Sequence, residues 1–127
     1  MKVTFEGGAK FAVQIRGHKV VVDQPVEGGG TDEGPTPPEY FVASLGSCVG
    51  VYAVAYCERH NVDVTGMTIG VKWEKSASPA RVSKIDVSIN IPKGVPEELR
   101  ERVLAAANHC LIHNTITAQP EINIALT

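Results

Sequence analysis

Residues 34–57, GPTPPEYFVASLGSCVGVYAVAYC, decide the fold, because they contain a complete helix start followed by a long apolar run. Thr36 is a suitable N-cap residue, and Pro37 fits the first helical position, where its missing N–H costs nothing. Glu39 falls at the third helical position and completes a T-x-x-E capping box. The pattern predicts a helix from Pro37 to about His60.

The same segment is the one place where a membrane span has to be weighed. From Tyr40 to Cys57 there is no charged residue, and the run is about long enough to cross a bilayer. It also contains two Ser, two Gly and three Tyr, and no basic cluster flanks it. We therefore expect a buried core helix and no membrane partner, with a membrane span as the less favoured alternative.

The predicted helix has two different sides when its residues are placed about 100° apart. One side carries only small residues: Gly46, Gly50, Ala53 and Cys57. Because glycine inside a helix costs about 1 kcal/mol relative to alanine, this side indicates close packing against another backbone. The opposite side carries Phe41, Ser44, Leu45, Cys48, Tyr52 and Ala55.

Outside this helix, alternating apolar residues predict strands, and a second apolar face predicts a helix. Residues 23–38, DQPVEGGGTDEGPTPP, are rich in Gly and Pro and predict a loop. The predicted strands are Val3–Phe5, Phe11–Ile15, 18–23, Met67–Trp73, Val82–Ile91 and Ile122–Leu126, and the second helix begins near Pro96 with Leu99, Val103, Leu104 and Ala107 on one face. The order β-β-β-α-β-β-α-β predicts an α+β fold in a single domain, 1–127.

Composition narrows the class of protein. A chain of 127 residues with 43% hydrophobic residues fits one globular core. The net charge of −2 and the lack of a long basic run argue against a nucleic-acid partner. The N-terminus has no apolar signal region, so the three cysteines predict reduced thiols in the cytoplasm rather than a disulfide framework.

The thiols are the best candidates for chemistry. Cys57 lies on the small side of the helix and is expected to be a packing residue. Cys48 lies beside Ser44 and Tyr52, and Cys110 lies near the end of the second helix, on the face of Val103, between two histidines. Each of these two thiols, taken alone, is better explained as a core residue than as a reactive one.

Other chemistries have weaker support. The segment HCLIH (109–113) offers at most three metal ligands, and no second closely spaced pair occurs, so we expect no metal site. The glycines of residues 23–38 lack the GxxxxGK[ST] pattern of a phosphate-binding loop. No G-x-S-x-G motif indicates a hydrolase. We expect no cofactor.

Two motifs together resemble the family of osmotically inducible protein C and the organic hydroperoxide resistance proteins (OsmC/Ohr). They are GPTPPEYFVASLGSCVGVYAVAYC (34–57) and HCLIHNT (109–115), and the likeness covers essentially the whole chain. It implies an OsmC-like fold in an intertwined homodimer with a buried central helix. It also implies a thiol peroxidase, in which Cys48 reduces a hydroperoxide and Cys110 resolves it as a disulfide that an external dithiol reduces.

The family's active peroxidases place an Arg after a Gly-Gly pair, where it stabilises the thiolate. In this chain the pair Gly7-Gly8 is followed by Ala9 and Lys10. A thiol in the middle of a helix gains little from the helix dipole, so a cation is still needed. Lys10 and Arg16 are the candidates.

Those peroxidases also place a Glu ten residues before the reactive Cys, where this chain has Pro38. Glu39 is one residue later and is the candidate for that role. Two hypotheses therefore stay open. The first is a cysteine-based peroxidase, and the second is a non-catalytic dimer of the same fold that binds a small apolar or thiol-reactive ligand.

Overall fold

The computed structural model describes residues 1–127, which divide into two compact units, Met1–Val42 and Ala43–Thr127. In the first unit, alternating residues between tight turns form an antiparallel sheet in the order β1-β2-β3. Its strands are β1 (Lys2–Gly7), β2 (Lys10–Ile15) and β3 (His18–Val22). The strands expected in this part of the chain are confirmed.

The turn between β1 and β2 depends on two glycines. Gly7 and Gly8 have φ values of +100° and +59°, a region that glycine enters without the steric cost of a Cβ. Beyond the turn Phe5 pairs with Phe11, and their ring centroids are 5.5 Å apart. Aromatic cross-strand pairs of this kind stabilise a hairpin.

The loop after β3 closes on one buried carboxylate. Asp23 is 1% exposed. Its oxygens accept hydrogen bonds from the backbone N–H groups of Gln24 (2.8 Å), Thr31 (3.1 Å) and Glu33 (3.1 Å), and from the Thr31 hydroxyl (2.8 Å). Burial disfavours the charged form, but these hydrogen bonds outweigh it and lower the pKa of Asp23 from 3.8 to about 2. The carboxylate therefore organises the loop in its ionised form.

The long helix α1 (Pro37–Arg59) begins in the first unit and continues through the second. Its start confirms the predicted capping box: the Glu39 carboxylate accepts hydrogen bonds from the Thr36 N–H (2.6 Å) and the Thr36 hydroxyl (2.8 Å). The expected bounds of the helix are also confirmed to within one residue.

In the second unit the small side of α1 faces an antiparallel hairpin of β4 (Thr68–Ala77) and β5 (Ala80–Asn90). A Cβ added at Gly46 would lie 2.6 Å from Cγ2 of Val71, and one added at Gly50 would lie 3.2 Å from Cγ1 of Ile69. The close packing expected from the glycines is therefore confirmed. The contact is made by side chains of β4, not by a second backbone.

The core of the second unit lies between α1, the hairpin and two shorter helices, α2 (Glu97–Asn108) and α3 (Leu111–Thr117). From α2 it receives Val103 and Ala107, as expected, whereas Leu104 is 55% exposed. The buried core residues are Leu45, Val49, Ala53, Cys57, Val62, Val103, Ala107 and Cys110. Leu45 was expected on the Cys48 side of α1 and instead lies in this core.

By length and composition α1 is the one helix that could cross a membrane, with a mean hydropathy of 1.5 over its most apolar window. Its buried residues, among them Val49 and Ala53, lie in the core of the second unit. A core helix passes the same test, and the packing shows that α1 is one.

The predicted strand Ile122–Leu126 is wrong. These residues follow α3 as irregular chain, and Ile122, Ile124 and Leu126 are 75%, 94% and 102% exposed. A strand forms only where another strand pairs with it, and none pairs with this segment in the chain. Apolar and polar residues alternate in this segment as they do in a strand, but no other strand of the chain pairs with it.

Candidate functional site

Cys48 lies halfway along α1, at the border between its buried and exposed sides. The residue before it, Ser47, is exposed, and the residue after it, Val49, is buried. Cys48 itself is half-buried and packs against the core. The residue is therefore partly accessible to solvent while part of it rests on the apolar side chains of the core.

Cys110 lies outside α2, contrary to the expectation from the sequence. Helix α2 ends at Asn108, and Cys110 is instead the N-cap of α3, with φ −66° and ψ 147°. Its Sγ accepts a hydrogen bond from the backbone N–H of His113 at 3.3 Å. Cysteine is not among the usual N-cap residues, so no local pattern of residues marks this helix start.

The two thiols meet inside the second unit. Cys110 is fully buried in the core against which Cys48 packs, and the two thiols are close enough for Cys48 to raise the pKa of Cys110. Burial raises the pKa of Cys110, the His113 N–H opposes that rise, and the hydrogen bond and negative charge of Cys48 raise the pKa further. A thiolate on Cys48 therefore keeps the proton on Cys110.

Cys57 has a different environment. It is 0% exposed, in the core with Ala53 and Val62, and burial raises its pKa. A raised pKa and a closed environment are the properties of an unreactive thiol. The packing role expected for Cys57 agrees with this position.

His113 does two things beside Cys110. Its backbone N–H bonds the Cys110 sulfur, and its Nδ1 lies 2.6 Å from the carbonyl oxygen of Asn108. Because a carbonyl oxygen can only accept, Nδ1 carries a proton in this contact. The side chain thereby ties the end of α2 to the first turn of α3 and fixes the position of Cys110.

A cavity of about 280 Å³ opens next to these helices within the second unit. Its walls are mostly aliphatic, with two polar residues: they are Leu45, Val49, Ile85, Val87, Ile89, Leu104, Ala107, Asn108 and His113. Leu45 and Val49 come from the turns of α1 that flank Cys48, and His113 is the hydrogen-bond partner of Cys110. The cavity could accept a small apolar group.

The three residues expected to assist Cys48 all lie in the first unit, Met1–Val42. Lys10 forms an ion pair with Glu33 (2.9 Å), whose hydrogen bond and charge raise the pKa of Lys10. Arg16 is exposed in the turn between β2 and β3, with φ +53°. Glu39 bonds Thr36 at the start of α1.

A family model for OsmC-like proteins matches residues 30–125. The chain therefore belongs to the family of OsmC-like proteins, and the resemblance seen in the sequence is confirmed. An uncharacterised protein of Methanocaldococcus jannaschii is 28% identical over 101 residues, which are 77% of this chain and 53% of that relative. The chain thus spans about half the length of that relative.

Solved structures show the same fold. A proposed osmotic-stress-induced and detoxification-response protein of Psychrobacter arcticus superposes with a TM-score of 0.82 at 22% identity, covering 90% of this chain and 85% of its own. The organic hydroperoxide resistance protein OhrB of Bacillus subtilis superposes with a TM-score of 0.61 at 22% identity, covering 93% and 90%. An organic hydroperoxide resistance protein of Legionella pneumophila gives 0.64 at 19%, covering 91% and 85%. The chain thus has an α+β, OsmC-like fold, and its structural neighbours include hydroperoxide resistance proteins.

Proposed function

We propose that the protein is a cysteine-based thiol peroxidase of one OsmC-like domain that reduces organic hydroperoxides. The observation that supports this most directly is that Cys48 packs against the core in which Cys110 is buried, close enough to raise the pKa of Cys110. A half-exposed thiol beside a buried one has the arrangement that sulfenic acid chemistry needs. The nucleophile meets the peroxide, and the second thiol is already in place to condense with the product.

The reaction balances with these two residues and an external dithiol. The Cys48 thiolate attacks the O–O bond of ROOH and becomes a sulfenic acid, and the alkoxide takes up a proton and leaves as ROH. The Cys110 thiol then attacks the sulfenic sulfur and forms the Cys48–Cys110 disulfide with loss of water. The dithiol returns two electrons, becomes a disulfide itself, and regenerates both thiols.

The apolar cavity supports an organic substrate. An alkyl chain that enters the aliphatic walls sheds water, and each buried methylene is worth about 0.8 kcal/mol, roughly a factor of four in binding. A hydroperoxide of several carbons should therefore be used one to two orders of magnitude more efficiently than hydrogen peroxide, on this rough scale. Equal kcat/KM for the two substrates would count against the cavity as the alkyl site.

A homodimer with α1 near its interface fits the exposed apolar surface. Val51 and Tyr52 of α1 are 65% and 39% exposed, and Ile122 and Ile124 are more exposed still. Apolar surface of this kind in a soluble chain indicates a partner surface, here a second copy. Sedimentation should show a dimer at micromolar concentration, and a stable monomer would contradict it.

We place the dimer in the cytoplasm, where thiols stay reduced, with no nucleic acid, no membrane and no cofactor required.

One observation favours the second hypothesis, a dimer that binds a small apolar or thiol-reactive ligand without turnover. The candidate assistants of Cys48 are engaged elsewhere, Lys10 with Glu33 and Glu39 with Thr36. If neither Lys10 nor Arg16 reaches Cys48, that thiol lacks the cation that the family's active peroxidases place beside it. Turnover that rises steadily with pH, or none at any pH, separates the two hypotheses.

The deciding experiment measures hydroperoxide consumption in the presence of a dithiol. Cys48→Ala should reduce the rate to the background of dithiol alone. Cys57→Ala is the matched control, since it removes a thiol of the same chain that is fully buried, and it should keep the native rate. A native rate in Cys48→Ala, or a lost rate in a folded Cys57→Ala protein, would refute the assignment.

A further inference from the structure

The two sulfurs of the proposed disulfide differ in access. Cys48 is half-buried, whereas Cys110 is 0% exposed and lies behind α3 and the core. Thiol–disulfide exchange requires the attacking thiolate to reach one of the two sulfurs directly. Cys48, which is partly exposed, is therefore the more accessible of the two to a free dithiol, whereas Cys110 is closed to it unless the fold opens.

The Cys110 sulfur also has hydrogen-bond donors that would stabilise a negative charge on it. The Cys110 Sγ sits at the N-cap of α3 and accepts the His113 N–H at 3.3 Å, and the Ile112 N–H also favours its charged form. The first N–H groups of a helix have no partner inside it, so they are available to stabilise an anion. His113 is itself held by the bond of its Nδ1 to the Asn108 carbonyl.

From access and geometry together, we propose that the external dithiol attacks the Cys48 sulfur of the disulfide and that Cys110 leaves as the thiolate, held by the backbone N–H of His113. This inference rests on the proposed function. The bond from Cys48 to Cys110 breaks, a mixed disulfide between Cys48 and the reductant forms, and the electron pair stays on Cys110. The second thiol of the reductant then attacks its own sulfur in the mixed disulfide and releases Cys48.

The exchange also removes two of the causes that raise the pKa of Cys110. In the reduced protein, burial raises the pKa of Cys110, the His113 N–H opposes this, and the Cys48 thiol raises the pKa further. In the mixed disulfide Cys48 carries neither charge nor thiol proton, so its contribution disappears. Burial then remains, opposed by the N–H groups of α3, and a lower pKa makes a better leaving group.

The test uses the full-length Cys57→Ala protein, oxidised with diamide so that no peroxide chemistry is needed. Glutathione, a monothiol, stops the exchange at the mixed disulfide. Samples are quenched with acid at increasing times, and free thiols are then labelled with a maleimide. Peptide mapping gives the fraction of glutathione on each cysteine at each time. These fractions are extrapolated to time zero, because the glutathione can later migrate from one sulfur to the other. Glutathione should be on Cys48 and the maleimide on Cys110, with an excess of roughly tenfold or more over the reverse pattern.

The possible outcomes test the direction of exchange and the peroxidase proposal separately. Glutathione on Cys110, or an even division between the two sulfurs, overturns the inference. A protein that forms no Cys48–Cys110 disulfide overturns both the inference and the peroxidase proposal. A protein that gives the expected pattern but consumes no hydroperoxide supports the direction of exchange and contradicts only the peroxidase proposal.

Discussion

Asp23 in the first unit and Cys110 in the second are both buried acidic groups that accept backbone N–H hydrogen bonds, yet their pKa values move in opposite directions. Asp23 accepts four hydrogen bonds at 2.8–3.1 Å, and they lower its pKa to about 2 despite burial. Cys110 accepts one at 3.3 Å and lies beside a second thiol, so its pKa is raised. Both groups are buried, so the number of donors that oppose the effect of burial decides in which direction the pKa moves.

The largest expected effect is on the loop around Asp23. In Asp23→Asn one acceptor oxygen becomes an NH₂ group that faces a backbone N–H donor, and the hydrogen bonds that remain are no longer made to a charged group. We expect the melting temperature to fall by roughly 5–10 °C. Asp32→Asn is the matched control, because Asp32 is exposed on the same loop. Equal melting temperatures for the two variants would show that the loop does not depend on the carboxylate.

The second prediction concerns acid. Because the folded pKa of Asp23 is lowered, its contribution is fully present above the ordinary value of 3.8 and is lost as pH falls toward about 2. Denaturant titrations of the native protein should therefore show stability falling across that window. The Asp23→Asn protein should show a shallower slope there, and a slope that stays the same would assign the acid response to other carboxylates.

The third prediction concerns the second thiol of the pair. Removing Cys48 removes a hydrogen bond and a charge that both raise the pKa of Cys110. In the Cys57→Ala background, Cys48→Ala should therefore lower the pKa of Cys110, measured by thiolate absorbance against pH. An unchanged or raised value would mean that burial alone sets the ionisation of Cys110 and that the two thiols do not interact.

The smallest expected effect is at alkaline pH. Burial raises the pKa of Cys57, so its contribution to stability is present below the ordinary value of 9.0 and is lost as pH rises past it, when the unfolded thiol ionises. Cys57→Ala should lose stability less steeply above that pH than the native protein does. The free energy of unfolding of each protein is measured at pH 8 and at pH 10. If the ratio of the two values is the same for Cys57→Ala and for the native protein, the assignment is contradicted.

Local sequence predicted those parts of the fold whose causes lie within a few residues. The T-x-x-E box predicted where α1 begins, and the Gly46 and Gly50 positions predicted close packing on one side. Asp23 gave no comparable signal, since its donors Thr31 and Glu33 are far along the chain and meet it only after the loop closes. The N-cap role of Cys110 was also missed, because the apolar face of α2 continues through it.

The sequence by itself determined the family, the long apolar helix and the two cysteines that the family motif marks, because capping, periodicity and motif spacing are local properties. The three-dimensional structure was needed to show that Cys48 packs against the core that holds Cys110, that Cys110 faces the N–H groups of α3, and that Ile122–Leu126 stays unpaired. Hydrogen bonds between distant residues, burial and strand pairing all depend on which segments meet, and that is fixed by packing rather than by any one segment.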